Sequence, residues 1–216
     1  MKKMLLPGPD FDQEDKASKQ GYELIAGVDE AGRGPLAGPV VAAAVVLPRP
    51  MCSPWLGMVR DSKELTAGKR DILFDLINKE SLAVGVGIIS HTIIDSKNIL
   101  KATHLAMNQA VANLSLRPQF LLIDGLILPE CAISQKCIIR GDKLSLSVAC
   151  ASIVAKVTRD RIMVDMDKMY SGYGFARHKG YGTREHLDCL NKLGPLPIHR
   201  LSFAPVRKAV REHHED

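Results

Sequence analysis

The chain has 216 residues, 46% hydrophobic and 25% charged, which is enough to bury one sizeable core and too balanced in composition for a disordered or low-complexity protein. A formal net charge of +5 leans toward a polyanionic partner, while five cysteines without a CxxC pair argue against a disulfide framework and read as reduced packing residues. No apolar run is long enough to span a bilayer, and Met1 to Pro9 is too short for a signal-peptide core, so a cytoplasmic protein with no membrane partner is expected.

Residues 1–20 are polar and aperiodic and are expected to be frayed or loosely docked. Leu24 to Val28 is an apolar strand that ends on Asp29 and runs into a turn marked by Gly32 and Gly34. Pro39 to Leu47, rich in Val and Ala, reads as a second buried strand. Thr66 caps an amphipathic helix in which Ile72, Leu73, Leu76 and Ile77 repeat with helical spacing. Ala83 to Ile89 is a strand weakened by two glycines, and Ile99 to Leu114 carries a further helical stripe. Phe120 to Ile123 and Cys137 to Ile139 are short strands that finish near Asp124 and Asp142. A long helix follows from Ser145 to about Met169, with Ala149, Ala151, Ser152 and Ala155 permitting close packing. Glycines from 172 to 182 mark a loop, Thr183 caps a short helix stopped by Gly194 and Pro195, and Ser202 with Pro205 opens a last helix. This is an α/β pattern: a core over 21–170 and a helical C-terminal extension over 171–216.

Three acidic positions stand where strands end or a helix begins: Asp29 with Glu30, Asp124, and Asp142. Strand ends converge, and carboxylates gathered at one sheet edge repel each other, raise each other's pKa and are stabilised by shared hard cations such as Mg²⁺ or Mn²⁺. Two such ions about 4 Å apart suit phosphodiester hydrolysis. Any one of these acids, taken singly, is more often a turn former or helix cap than a ligand, so spacing alone leaves a metal cluster and a set of caps both open. The seven histidines show no convincing ligand spacing, His199 reads as a hydrogen-bonding partner, and no zinc is expected.

The segment Gly27-Val-Asp-Glu-Ala-Gly-Arg-Gly-Pro-Leu-Ala-Gly-Pro-Val-Val41 resembles the opening signature of bacterial ribonuclease HII. Further blocks resemble that family in order: Asp61 to Thr66, Ile123 to Gly125, Gly141-Asp142, Ala151 to Asp160, Gly180 to Thr183 and Pro197 to Arg200. The resemblance implies a ribonuclease H fold, a mixed five-stranded sheet flanked by helices, with a helical C-terminal region that helps hold nucleic acid. It implies an endoribonuclease acting on RNA/DNA hybrids and on DNA containing ribonucleotides, leaving 5′-phosphate and 3′-hydroxyl ends. It assigns metal binding to Asp29, Glu30, Asp124 and Asp142, reading of the 2′-hydroxyl to Gly32, Arg33 and Gly34, and packing on the neighbouring sugar to Tyr181.

Adjacent strand residues point to opposite faces, so the strand is expected to bend after Asp29 if Glu30 is to join it. Lys63, and less so Arg184 and Arg200, are candidate phosphate neutralisers. The tail from Arg207 to Asp216 lacks a glutamine-and-aromatic sliding-clamp motif, and a monomer is expected. Two other readings stand beside this one: an acidic DNA-strand-transferring nuclease, and a non-catalytic module that binds hybrids.

Overall fold

The computed structural model describes residues 8–129 and 131–213. Five strands form one sheet: β1 (Ile25–Ala31), β2 (Val40–Val46), β3 (Ala83–Ile89), β4 (Phe120–Asp124) and β5 (Ser134–Ile138). Their order is β3-β2-β1-β4-β5, with β1, β2 and β3 antiparallel neighbours and β1, β4 and β5 parallel. The helices are α1 (Asp12–Ser18), α2 (Ala67–Glu80), α3 (His91–Lys97), α4 (Ile99–Ala112), α5 (Leu146–Met169), α6 (Phe175–His178), α7 (Arg184–Leu193) and α8 (Ala204–Glu212).

Both faces of the sheet are covered, which is why β2 is a continuous run of Val and Ala buried throughout. The two-residue period sorts alternate side chains to opposite layers. Ala26, Val28, Ala42 and Ala44 pack with Ala102, Ala106 and Ala110 of α4, whereas Ala43 and Val45 pack with Ala149, Ile153 and Val154 of α5. Small residues set the interlayer distance. A Cβ at Gly85 or Gly87 would lie 2.1 or 2.0 Å from the Ala110 or Ala106 carbonyl oxygen, and one at Gly27 would lie 2.1 Å from the Ser147 backbone. The glycines that weaken β3 as an isolated strand are therefore what lets α4 lie directly on it.

Thr66, Ser145 and Thr183 cap α2, α5 and α7 by accepting from the amides of Lys69, Val148 and His186. The stretch expected as one helix from Ile99 is preceded by a separate α3, because Asn98 adopts φ 67° and caps α4 through the Lys101 amide. The strand expected at Cys137 to Ile139 begins earlier, at Ser134.

Within the N-terminal segment expected to be frayed or loosely docked, residues 12–18 form α1; residues 1–7 lie outside the described residues. Helix α1 docks on the core through Glu14 and Ala17, both buried. The Glu14 carboxylate accepts from the Ser145 hydroxyl at 2.6 Å and from the Ser147 amide and hydroxyl at 2.9 and 2.6 Å. A short polar helix whose sequence shows no apolar stripe is thus held by one buried acid at the start of α5.

Candidate active site

The carboxylates gather where the parallel pair β1–β4 comes apart. Its last paired couple is Val28 with Ile123, so Asp29 and Asp124 occupy the next position on each strand. The carboxyl ends of parallel strands are where open α/β sheets form their clefts. Antiparallel pairing on the other side of β1 continues through Asp29–Ala43, Glu30–Ala42 and Ala31–Val41, so the expected bend after Asp29 is absent. Glu30 instead stays on the α4 face and Asp29 on the α5 face. With β4 no longer paired alongside, both sides open at the same edge, and both carboxyls feel Asp124.

Asp142 enters from a 3-10 turn, Gly141–Lys143, that leads into α5. The amide of Gly141 donates to Asp124 Oδ1 at 2.6 Å, which fixes this turn against the end of β4. Asp61, in the loop before α2, is a further carboxylate here and is buried; its Oδ1 accepts from the Lys63 amide at 2.9 Å, and Lys143 Nζ lies 3.5 Å from its Oδ2.

Electrostatics tie these groups together. Burial, then Glu30 and Asp124, push the Asp29 carboxyl well above its ordinary range, opposed by a hydrogen bond from Ser152 and by the Glu30 amide at 2.7 Å. Burial also raises Glu30, despite Arg33 Nη1 at 3.4 Å from its Oε1. Asp142 is raised to about 6 by burial, Asp61 and Asp124. Partial desolvation lowers Lys63, but Asp61, Asp142, Asp29 and Asp124 outweigh it and hold the ammonium firmly protonated. Lys63 is thus one counter-charge of the acidic cluster, beside Arg33 and Lys143.

Among the described residues no three His, Cys, Asp or Glu side chains converge tightly enough to hold an ion. Mutual repulsion and the backbone bonds of Asp29 and Asp124 hold the acids near one another without closing them on one point. Their chemistry fits a hard cation even so: every donor is a carboxylate oxygen, and Glu30 Oε2 is buried without a hydrogen-bond partner.

Beside the acids, the Gly32–Pro39 loop is clamped by two fully buried arginines. Arg200 donates to the carbonyls of Gly38, Arg33, Gly32 and Pro39 at 2.7–3.1 Å, and Arg159 donates to those of Pro39, Ala37 and Lys179 at 2.9–3.1 Å. Arg200, a lesser candidate for phosphate neutralisation, is instead spent on backbone oxygens. The side chain of Arg184 is 97% exposed and lies 3.9 Å from Asp188.

Gly32 is buried with φ 98°, and a Cβ there would meet Arg159 Nε at 2.2 Å, so its glycine is dictated by the clamp. Gly34 is exposed, and a Cβ there would meet only Tyr181 Cε1, at 3.9 Å. Tyr181 is 40% exposed, with Lys156 Nζ and Arg159 Cζ 5.7 and 5.8 Å from its ring centre. Arg33, Gly34 and Tyr181 form one accessible surface beside the carboxylates. Sequence reasoning overlooked Asp61 and Ser152, although both lie inside the Asp61 to Thr66 and Ala151 to Asp160 blocks.

A family model described as ribonuclease HII matches residues 26–206. The chain belongs to the ribonuclease HII family. It is 57% identical over 195 residues to the ribonuclease HII of Citrifermentans bemidjiense, covering 90% of this chain and 84% of the relative. It is 52% identical over 202 residues to that of Geobacter sulfurreducens, covering 94% and 92%. In fold it is similar to the ribonuclease H2 of Pyrococcus horikoshii, with a TM-score of 0.72 at 26% identity over 89% of this chain and all of that one. Ribonuclease HII membership makes the chain a ribonuclease H endonuclease, and it sets aside the strand-transferase and non-catalytic readings. Among the described residues no helix is long and apolar enough to cross a membrane.

Proposed function

We propose that the chain hydrolyses the RNA strand of RNA/DNA hybrids and cuts duplex DNA at embedded ribonucleotides, leaving 5′-phosphate and 3′-hydroxyl ends. Asp29, Glu30, Asp124 and Asp142 hold two Mg²⁺ or Mn²⁺ ions in this reading. When bound, such ions activate the attacking water and stabilise the departing oxygen. The observation that carries the proposal is the placing of these four acids at the opened end of β1–β4, directly beside the exposed surface of Arg33, Gly34 and Tyr181.

The chain's own groups divide the work. Backbone amides of Gly32, Arg33 and Gly34 read the 2′-hydroxyl, the feature that separates RNA from DNA at one sugar. Tyr181 packs on the sugar next to the cut and favours deoxyribose there. Lys63 lies among the acids and meets the scissile phosphate as that group brings its own negative charge. The segment 171–216 supports Tyr181 and extends the nucleic-acid surface. All the groups named come from one chain, so a monomer suffices. Repair of misplaced ribonucleotides and removal of RNA primers both present such substrates.

The test compares three duplexes with and without Mg²⁺ or Mn²⁺: one ribonucleotide in DNA, a long RNA/DNA hybrid, and all-DNA. Cation-dependent cutting of the first two alone is expected. Cutting of all-DNA, or cutting indifferent to the cation, would overturn it.

A further inference from the structure

Three buried histidines, His178, His186 and His199, meet behind Tyr181, enclosed by Tyr173 and Phe175. Their partners fix how each ring is protonated. The Leu196 amide donates to His199 Nδ1 at 2.8 Å, so that nitrogen is an acceptor and His199 Nε2 carries the hydrogen. The Leu196 carbonyl is already engaged by the His199 amide at 3.0 Å. His199 Nε2 lies 3.0 Å from His186 Nε2, which must then accept, leaving His186 Nδ1–H to donate to the Tyr181 carbonyl at 2.9 Å. His178 stacks on His186 with centres 4.4 Å apart, and uses its own nitrogens on the Gly180 amide and the Tyr173 carbonyl. All six ring nitrogens are engaged.

The chain of bonds runs in one direction: Leu196 N–H to His199, His199 to His186, His186 to the Tyr181 carbonyl. Both ends are anchored to the loop that carries Gly34, because the backbone of His199 bridges Ala37 and the Leu36 amide donates to the carbonyl of Gly180, next to Tyr181, at 2.8 Å. We propose that His186 and His199 form a neutral hydrogen-bond relay that fixes Tyr181 against Gly34, making them positioning residues for selection of an isolated ribonucleotide. This rests on the reading of Tyr181 as the residue that packs on the sugar beside the cut. The relay works only with both rings neutral, and burial keeps both below the ordinary histidine range, His199 at about 4. A merely structural pair would lower stability and cut both substrates less; a positioning pair changes the choice between them.

The experiment measures kcat/KM on a duplex with one ribonucleotide and on a long hybrid, for wild type, His186→Phe, His186→Asn, Tyr181→Ala and the double variant His186→Phe with Tyr181→Ala. His186→Phe should lower the single-ribonucleotide to hybrid ratio about tenfold, the scale expected when a substrate-positioning group shifts by a fraction of an ångström. His186→Asn, whose amide can still donate to the Tyr181 carbonyl, should restore most of the ratio. In the Tyr181→Ala background His186→Phe should change the ratio no further. An unchanged ratio in His186→Phe, no rescue by Asn, or a full additional loss in the double variant overturns the relay. If Tyr181→Ala itself leaves the ratio unmoved, the reading of Tyr181 fails first, which is a different outcome from a relay failure with Tyr181 upheld. Should His186→Phe not fold, His199→Asn serves: it keeps the bond to the Leu196 amide, no longer reaches His186, and should lower the ratio about threefold if positioning matters, with no change contradicting the proposal.

Discussion

Asp29 and Asp124 stand on neighbouring strands at the first position beyond the Val28–Ile123 couple, so the place where parallel hydrogen bonding stops is also where two carboxyl groups come together. Burial first, then Asp61 and Asp124, raises the neighbouring Asp142 carboxyl. Its folded pKa of about 6 lies above the ordinary 3.8, so the native state holds an extra proton between about pH 4 and 6. Stability therefore falls as pH rises through that window and stays lower above it.

Asp142→Asn should accordingly be more stable than wild type in metal-free buffer at pH 7.5, by on the order of 1–3 kcal/mol. Thermal melts should show the difference vanishing below about pH 4, where Asp142 is protonated in both states. Millimolar Mg²⁺ should raise the melting temperature of wild type more than that of the variant. An Asn variant less stable than wild type at neutral pH would contradict this.

Glu14 should matter to folding although it lies far from the acids in sequence. Glu14→Ala leaves two buried hydroxyls and one amide without their acceptor and should destabilise by about 2 kcal/mol or more. Denaturant unfolding checks this. An unchanged midpoint would mean that α1 is not held by its buried acid.

Arg200 separates a structural from a phosphate-binding role. Arg200→Leu strands the carbonyl oxygens of Gly32, Arg33 and Gly38, while that of Pro39 keeps Arg159, and should cost roughly 3 kcal/mol or more of stability. The salt dependence of hybrid binding, measured well below the melting temperature, should keep the wild-type slope, because no phosphate contact is lost. A normal melt with a shallower salt slope would be the opposite finding.

The sheet, its flanking helices and the strand-end acids were legible because hydrophobic period and turn residues are local signals. What was not legible depends on tertiary position. Nothing in the spacing of Arg159 and Arg200 says that both are buried and spent on one loop. Nor does the sequence say that a Cβ at Gly32 would meet the Arg159 side chain. The spacing of Asp61 and Lys63 likewise does not say that the fold buries the aspartate beside Asp142. The bend expected after Asp29 was inferred from strand geometry alone; the end of β1–β4 pairing, a property of two strands together, removes the need for it. Histidines 178, 186 and 199 have no ligand-like spacing and meet only because α6, α7 and the turn before Arg200 fold onto one another.

Tyr181→Ala should lower kcat/KM on a duplex with one ribonucleotide by about tenfold or more while sparing a long hybrid, and Tyr181→Phe should stay near wild type, since packing is the property at stake. Steady-state rates on the two substrates check this. Equal losses on both would remove the tyrosine from selection.

The most direct measurement is cleavage and binding by Asp29→Asn, a change that keeps shape and removes one charge from the acidic cluster. On a single-ribonucleotide duplex in Mg²⁺, kcat should fall by at least about a hundredfold while Kd stays within about threefold of wild type. Cleavage near the wild-type rate would contradict the assignment of catalysis to these carboxylates.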